Sequence, residues 1–125
     1  MDDRGVGGST GDSTRSTLED MAGDVLAGIA LLKARKDIQS RRIGVLGHSE
    51  GGVVGPLAAS LSADIAFVIM LAGTGVPGDQ VVYLQGELIA RSAGATEGAI
   101  QEAGQLQRRM TEILKEEKDD AVAAQ

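Results

Sequence analysis

Gly47-His48-Ser49-Glu50-Gly51-Gly52 is the stretch on which the reading of this chain turns. It follows a short apolar run, Ile43-Gly44-Val45-Leu46, and precedes small residues suited to a helix, so the order reads strand, sharp turn, helix. A serine in a G-x-S-x-G turn of that kind sits at the tip of strained backbone, and its hydroxyl projects clear of the sheet. The residues two before and two after it approach so closely that only a hydrogen fits as their side chain. Gly47 and Gly51 fill those places, with Gly52 as a further small residue. Ser49 is therefore the candidate nucleophile. The backbone N–H of Glu50 is the expected donor to a developing oxyanion, because the residue after the nucleophile supplies one such amide. The bland alternative is an incidental strand-helix turn in a chain with 18 glycines.

Working outward, residues 1–16 are rich in Gly, Ser, Thr and Asp and read as a loop. Thr17 is a helix N-cap with Asp20 three residues on as a capping box. Apolar residues then recur at 18, 21, 22, 25, 26, 29 and 32, one face of a helix to about Arg35. Lys33, Arg35 and Lys36 near its end complement the helix dipole. Gly51 to about Leu61 continues as a helix, which Pro56 delays or kinks. Ile65 to Leu71 is an unbroken apolar run, as expected of a strand buried on both faces of a parallel sheet. Strand, helix and strand make a βαβ unit. Gly73 to Gly78 is a turn, Asp79 to about Ala93 a helix, Gly94-Ala95 a break, and Thr96 the cap of a last amphipathic helix to about Ala121.

The bulk composition narrows the class. The chain has 125 residues, one domain's worth, and one Phe, one Tyr and no Trp make its core aliphatic and alanine-rich. A net charge of −6 with scattered cations argues against a nucleic-acid surface. With no cysteine and one histidine, thiolate and histidine-rich metal sites are excluded. No run reaches the ~18–20 apolar residues of a membrane span. The polar start Met1-Asp2-Asp3-Arg4 is unlike a secretory signal, which favours a cytoplasmic location.

Four other features compete for attention. His48 precedes the serine, and in such a turn that residue points away from the hydroxyl, so it reads as a packed structural histidine rather than a base. Gly5 to Gly11 has no lysine before its Ser-Thr pair and is not a phosphate-binding P-loop. Gly73-Thr74-Gly75-Val76-Pro77-Gly78 fits G-x-G-x-x-G, but no strand with an acidic residue follows about 20 residues on. No cofactor and no metal are expected. The Gln, Glu and Lys cluster at 101–120 reads as the wet face of a helix, with partner binding as the alternative.

With these elements placed, the chain resembles the α/β-hydrolase superfamily, and most of all bacterial esterases and acyl-peptidase-like hydrolases whose elbow reads G-H-S-E-G-G. Asp2-Asp3-Arg4-Gly5-Val6-Gly7-Gly8-Ser9 resembles their D-x-R-G-x-G-x-S loop. Thr17 to Arg35 resembles the following helix, Gly47 to Gly52 the elbow, and Ala66 to Gly78 the next strand and its turn. The resemblance implies α/β architecture: a partial α/β-hydrolase core with parallel strands at about 42–47 and 65–71, flanking helices in three α/β/α layers, and an incomplete sheet. Residues 1–125 then form a single partial domain, with a loop at 1–16, the core at 17–72 and a helical, cap-like region at 73–125. It also implies hydrolysis of a small ester, thioester or amide substrate through an acyl-enzyme on Ser49, with a histidine as base and a carboxylate to orient it.

The departures from that family matter as much. No histidine follows Ser49, and no later strand carries an acid. The chain is expected to be the middle piece of a hydrolase, weakly active or inactive alone. The rival reading is a non-catalytic assembly module, because open apolar sheet edges invite a second copy or a completing chain.

Overall fold

The computed structural model describes residues 2–117. The end of the last predicted helix, towards Ala121, lies outside the described residues. The chain divides after Thr74 into two compact units.

The first unit begins with the loop, which contains a single 3-10 turn at Ser13–Arg15. Helix α1 (Leu18–Lys33) starts where its capping chemistry dictates. Thr17 Oγ1 accepts from the Asp20 N–H at 3.1 Å, and Asp20 Oδ2 accepts from the Thr17 N–H at 3.0 Å. Two of the four orphan donors of the helix start are thereby satisfied. Lys33 in the last turn pairs with Asp64.

Strand β1 (Val45–His48), helix α2 (Gly51–Leu61) and strand β2 (Val68–Leu71) follow. The strands pair in parallel, Val45 opposite Val68 and His48 opposite Leu71. Both are shorter than predicted at 42–47 and 65–71. Ser40–Arg42 forms a 3-10 turn instead of the start of β1. Hydrogen bonds from the Ala66 N–H to the Ile43 carbonyl (2.8 Å) and from the Val45 N–H to the Phe67 carbonyl (3.0 Å) carry the pairing just beyond β2's start. Helix α2 runs through Pro56 without a break, so the delayed start foreseen at this proline does not occur.

Helix α2 packs on both strands and α1 packs on α2. A β-carbon at Gly55 would lie 3.3 Å from Val68 Cγ1 and 3.5 Å from Val45 Cγ1, so this glycine brings α2 down onto the Val45–Val68 face. Ala22, Val54 and Ala58 form the core beneath, with Met21, Val25, Leu26, Leu57 and Ile65 packed against it. Burying Ile29, Ile43 and Val54 contributes roughly 1.5–3 kcal/mol each. The opposite sheet face carries Leu46 and Ile69, which are 60% and 44% exposed. Of the three expected layers, this unit shows the sheet with helices on one side only. The α/β class, with a small parallel sheet and flanking helices, is as predicted.

The second unit is a hairpin of α3 (Gly78–Ser92) and α4 (Glu97–Glu116). Gly94, at φ +80°, ends α3. The Ala95 N–H reaches the Ala90 carbonyl (3.0 Å) and the Gly94 N–H the Arg91 carbonyl (3.1 Å), a Schellman closure. Thr96 Oγ1 then caps α4 by accepting from the Ala99 N–H at 3.3 Å. Arg91 bridges Glu87 and Glu97 at this end, and Lys115 pairs with Asp79 at the other, which makes the helices antiparallel. Arg108 stacks over Tyr83 at 4.6 Å. Among the described residues no helix is long and apolar enough to cross a membrane.

Candidate active site around Ser49

Ser49 has φ +54°, in the left-handed region that costs an ordinary residue roughly 1–2 kcal/mol. The strain is held in place from both sides. The Ser49 N–H donates to the Leu71 carbonyl at 2.9 Å, which extends the β1–β2 ladder into the turn. Glu50 is already helical (φ −55°, ψ −38°) and serves as the N-cap of α2. Ser49 is exposed, and its hydroxyl makes no hydrogen bond among the described residues. Ala72, just past β2, has φ +51°, so both strands end in a left-handed residue.

The glycines explain how the turn closes, with one change from the expectation. A β-carbon at Gly47 would lie 1.8 Å from the Gly51 carbonyl oxygen, so hydrogen is the only side chain that fits there. A β-carbon at Gly52 would come within 2.5 Å of Gly73 Cα. Gly51 itself has no heavy atom within 4 Å of its would-be β-carbon. The steric demand thus falls on Gly47 and Gly52, not on Gly47 and Gly51. Gly51 contributes its backbone as the wall that Gly47 must clear.

The amide of Glu50 points to the chemistry of this corner. The Gly52 N–H is spent on the Ser49 carbonyl (2.9 Å) and the Val53 N–H on the Glu50 carbonyl (2.8 Å). The Glu50 N–H makes no hydrogen bond among the described residues. It stands at the positive end of the α2 dipole, next to the serine, where an anion is favoured.

His48 is exposed, which overturns the expectation of a packed structural histidine. By strand alternation it shares the face of Leu46, the side opposite α2. It makes no hydrogen bond to Ser49. Among the described residues no group of three or more His, Asp or Glu could hold a metal ion.

A cavity of about 1020 Å³ opens in front of the turn. Ser49, Glu50 and Val54 line it on one side, Met21, Asp24 and Val25 of α1 on another, and Asp2, Asp3, Arg4 and Ser9 on the loop side. The loop is tied down by its own charges. Arg4 grips both carboxylate oxygens of Asp24, Nη2 to Oδ1 at 2.9 Å, and reaches the Asp20 carbonyl at 3.3 Å. The guanidinium holds the Asp24 carboxyl below the usual carboxylate range, and the Asp24 contact raises Arg4. Hydrogen bonds from Thr17 lower Asp20 in the same way. Asp2 Oδ2 accepts from the Gly8 N–H at 3.1 Å, and Ser9 Oγ donates to the Asp2 carbonyl at 2.9 Å.

Over residues 27–123 the chain matches the family described as BAAT / Acyl-CoA thioester hydrolase C terminal. The chain belongs to this family. The match takes in β1, the turn at Ser49, α2, β2, α3 and α4. Membership in this acyl-CoA thioester hydrolase family makes the chain α/β-hydrolase-like and a hydrolase by resemblance. No curated protein and no solved structure is significantly similar to it.

Several contributors to the site escape a reading of the sequence. Gly73 is identified there only as a turn residue, although it is the surface against which Gly52 packs. Asp24 lies 20 residues from Arg4, and nothing local marks the two as partners. Met21 and Val25 read as members of a helix face, which they are, while they also wall the cavity.

Proposed function

We propose that the chain is a serine hydrolase that cleaves a carboxylic ester, thioester or amide through an acyl-enzyme on Ser49. A thioester is the member of that set named in the family's description. What carries this reading is one juxtaposition: an exposed serine held at φ +54° between β1 and α2, directly followed by an unspent Glu50 N–H. Ser49 Oγ attacks the carbonyl carbon, and the oxygen that gains the charge takes the Glu50 amide and the α2 dipole. The Oγ proton passes to water, the leaving group departs protonated as a thiol, alcohol or amine, and a second water hydrolyses the acyl-serine ester to the acid and free Ser49. One such amide is typically worth about 10²–10³ in rate.

The proton of Ser49 is the weak point. The only imidazole of the 125 residues, His48, borders the same cavity, but by strand alternation it shares the face of Leu46 and it makes no hydrogen bond to Ser49. A positioned base typically supplies about 10²–10⁴-fold, so the chain alone acylates and turns over slowly. An alkyl fluorophosphonate tests the reading. Intact mass should show one slow, stoichiometric adduct that maps to Ser49 and disappears in Ser49→Ala. Labelling that persists in that variant, or none in wild type at millimolar probe, refutes it.

A second reading, an assembly module built on the hydrolase core, has its own support. Leu46, Ile69 and Leu71 are exposed on the sheet and both strand edges are unpaired among the described residues. Equilibrium sedimentation tests it. A dimer or larger species that dissociates in Leu46→Lys favours assembly, and a monomer at 100 μM excludes it.

A further inference from the structure

The cavity before Ser49 is chemically two-sided, and this bears on what the serine accepts. Its loop wall is polar, built from Asp2, Asp3 and Ser9, while α1 and α2 contribute the apolar Met21, Val25 and Val54 beside the Arg4–Asp24 ion pair. Val54 follows Glu50 by four residues, one helical turn, so it lies about 6 Å along α2 from the proposed oxyanion amide. Met21 and Val25 are themselves one turn apart on α1 and pack against the core that contains Val54. The three side chains are the apolar part of the lining, and Asp24 beside them is neutralised by Arg4.

We infer that this apolar wall receives the acyl group of the substrate, and that Met21 sets the length of acyl chain accepted. The inference rests on Ser49 being the nucleophile. A carbonyl bound to Oγ with its oxygen on the Glu50 N–H carries its substituent toward α2, hence toward Val54 and then Met21 and Val25. The leaving group departs toward the polar loop, where a thiol or alcohol meets water. A volume of about 1020 Å³ exceeds what a two-carbon acyl group fills and lies at the upper end of small-molecule sites, about 300–1,000 Å³. Met21 is the adjustable part of the wall, because an unbranched thioether fills irregular space and yields to a ligand. Val54 is buried and fixed by the α1–α2 core.

The test uses phosphonofluoridates that carry either a methyl or an octyl group on phosphorus. Oγ forms a bond to phosphorus and fluoride leaves, so the alkyl group takes the place of the acyl chain. Wild type should be labelled faster by the octyl probe. Met21→Phe should lower the octyl-to-methyl rate ratio at least about tenfold, the scale of a methylene mismatch in an apolar pocket. The methyl rate of the same variant is the internal reference, so the ratio reads the apolar wall and not the overall reactivity of Ser49. A variant-free readout guards against a misfolded Met21→Phe chain: an octyl probe with a terminal diazirine, attached to Ser49 in wild type, should crosslink on irradiation to α1 at Met21 or Val25. Methyl labelling with an unchanged octyl ratio, or crosslinks confined to residues 2–16, overturns the acyl-wall assignment while leaving Ser49 as nucleophile. No labelling of wild type by either probe overturns both.

Discussion

Alanine at Gly47 and alanine at Gly51 are the same chemical change, placed two residues either side of Ser49, and their expected outcomes are opposite. At Gly47 the new methyl would sit 1.8 Å from the Gly51 oxygen and 2.2 Å from its carbonyl carbon. Relief to an ordinary contact means moving the backbone of the turn by more than an ångström, with no flexible side chain to give way. Overpacking typically costs about 1–3 kcal/mol, and a clash with backbone belongs at the top of that range. About 3 kcal/mol is roughly a hundredfold in the folding equilibrium and a large share of a total near 5–15 kcal/mol. At Gly51 the methyl meets nothing within 4 Å, and the residue opens a helix, where alanine is favoured over glycine by up to about 1 kcal/mol. Urea unfolding followed by far-ultraviolet circular dichroism reads both. With a slope near 2 kcal/mol per molar, Gly47→Ala should lower the midpoint by about 1.5 M and Gly51→Ala should leave it unchanged or raise it by up to about 0.5 M. Equal losses for the two variants would mean that the turn closes on the Gly47–Gly51 pair symmetrically, contrary to the contact geometry.

Two further outcomes follow from the same site. Ser49→Gly relieves a left-handed φ and should be about 1 kcal/mol more stable than Ser49→Ala; equal midpoints would show that the turn relaxes without its side chain. The Asp24 carboxyl is held below its ordinary pKa by Arg4, so its contribution is complete above about pH 4, its unfolded value, and is lost as pH falls through the folded one. Urea midpoints at pH 6, 4 and 3 should therefore fall more steeply in wild type than in Arg4→Gln, and parallel declines would remove the Arg4–Asp24 pair from the account.

What could be read from the sequence was what local chemistry decides. Thr17 and Asp20 specify a helix start within four residues, and the structure forms both of their hydrogen bonds. Strand, sharp turn and helix around Ser49 are set by residues in direct succession. Strand length was not legible, because Ile65 to Phe67 are as apolar as the residues after them while pairing depends on the other strand. The close approach of Gly52 to Gly73 arises from the β1–β2 register and leaves no mark on either segment alone. Ala72 at φ +51° is another product of tertiary context: nothing in an alanine announces a left-handed residue. His48 was read as packed because the residue before the serine of such a turn points away from the hydroxyl, and here the face it shares with Leu46 is exposed.

Gly47, Gly52 and Gly73 come from three places in the chain, and the contacts among them have a consequence for how such a sequence can change over generations. A first substitution at Gly52 collides with Gly73, and one at Gly47 with the backbone of Gly51. A later change at Gly73 does not rescue the first, because the obstructing atoms are main chain and every residue possesses them. Gly47 and Gly52 therefore have no stepwise path away from glycine, whereas at Gly73 the nearest obstacle is the flexible end of Met70. The serine between them, by contrast, can be exchanged without disturbing its frame. In lineages that dispense with the chemistry, the hydroxyl should drift before the glycines do, leaving a recognisable turn around a different residue.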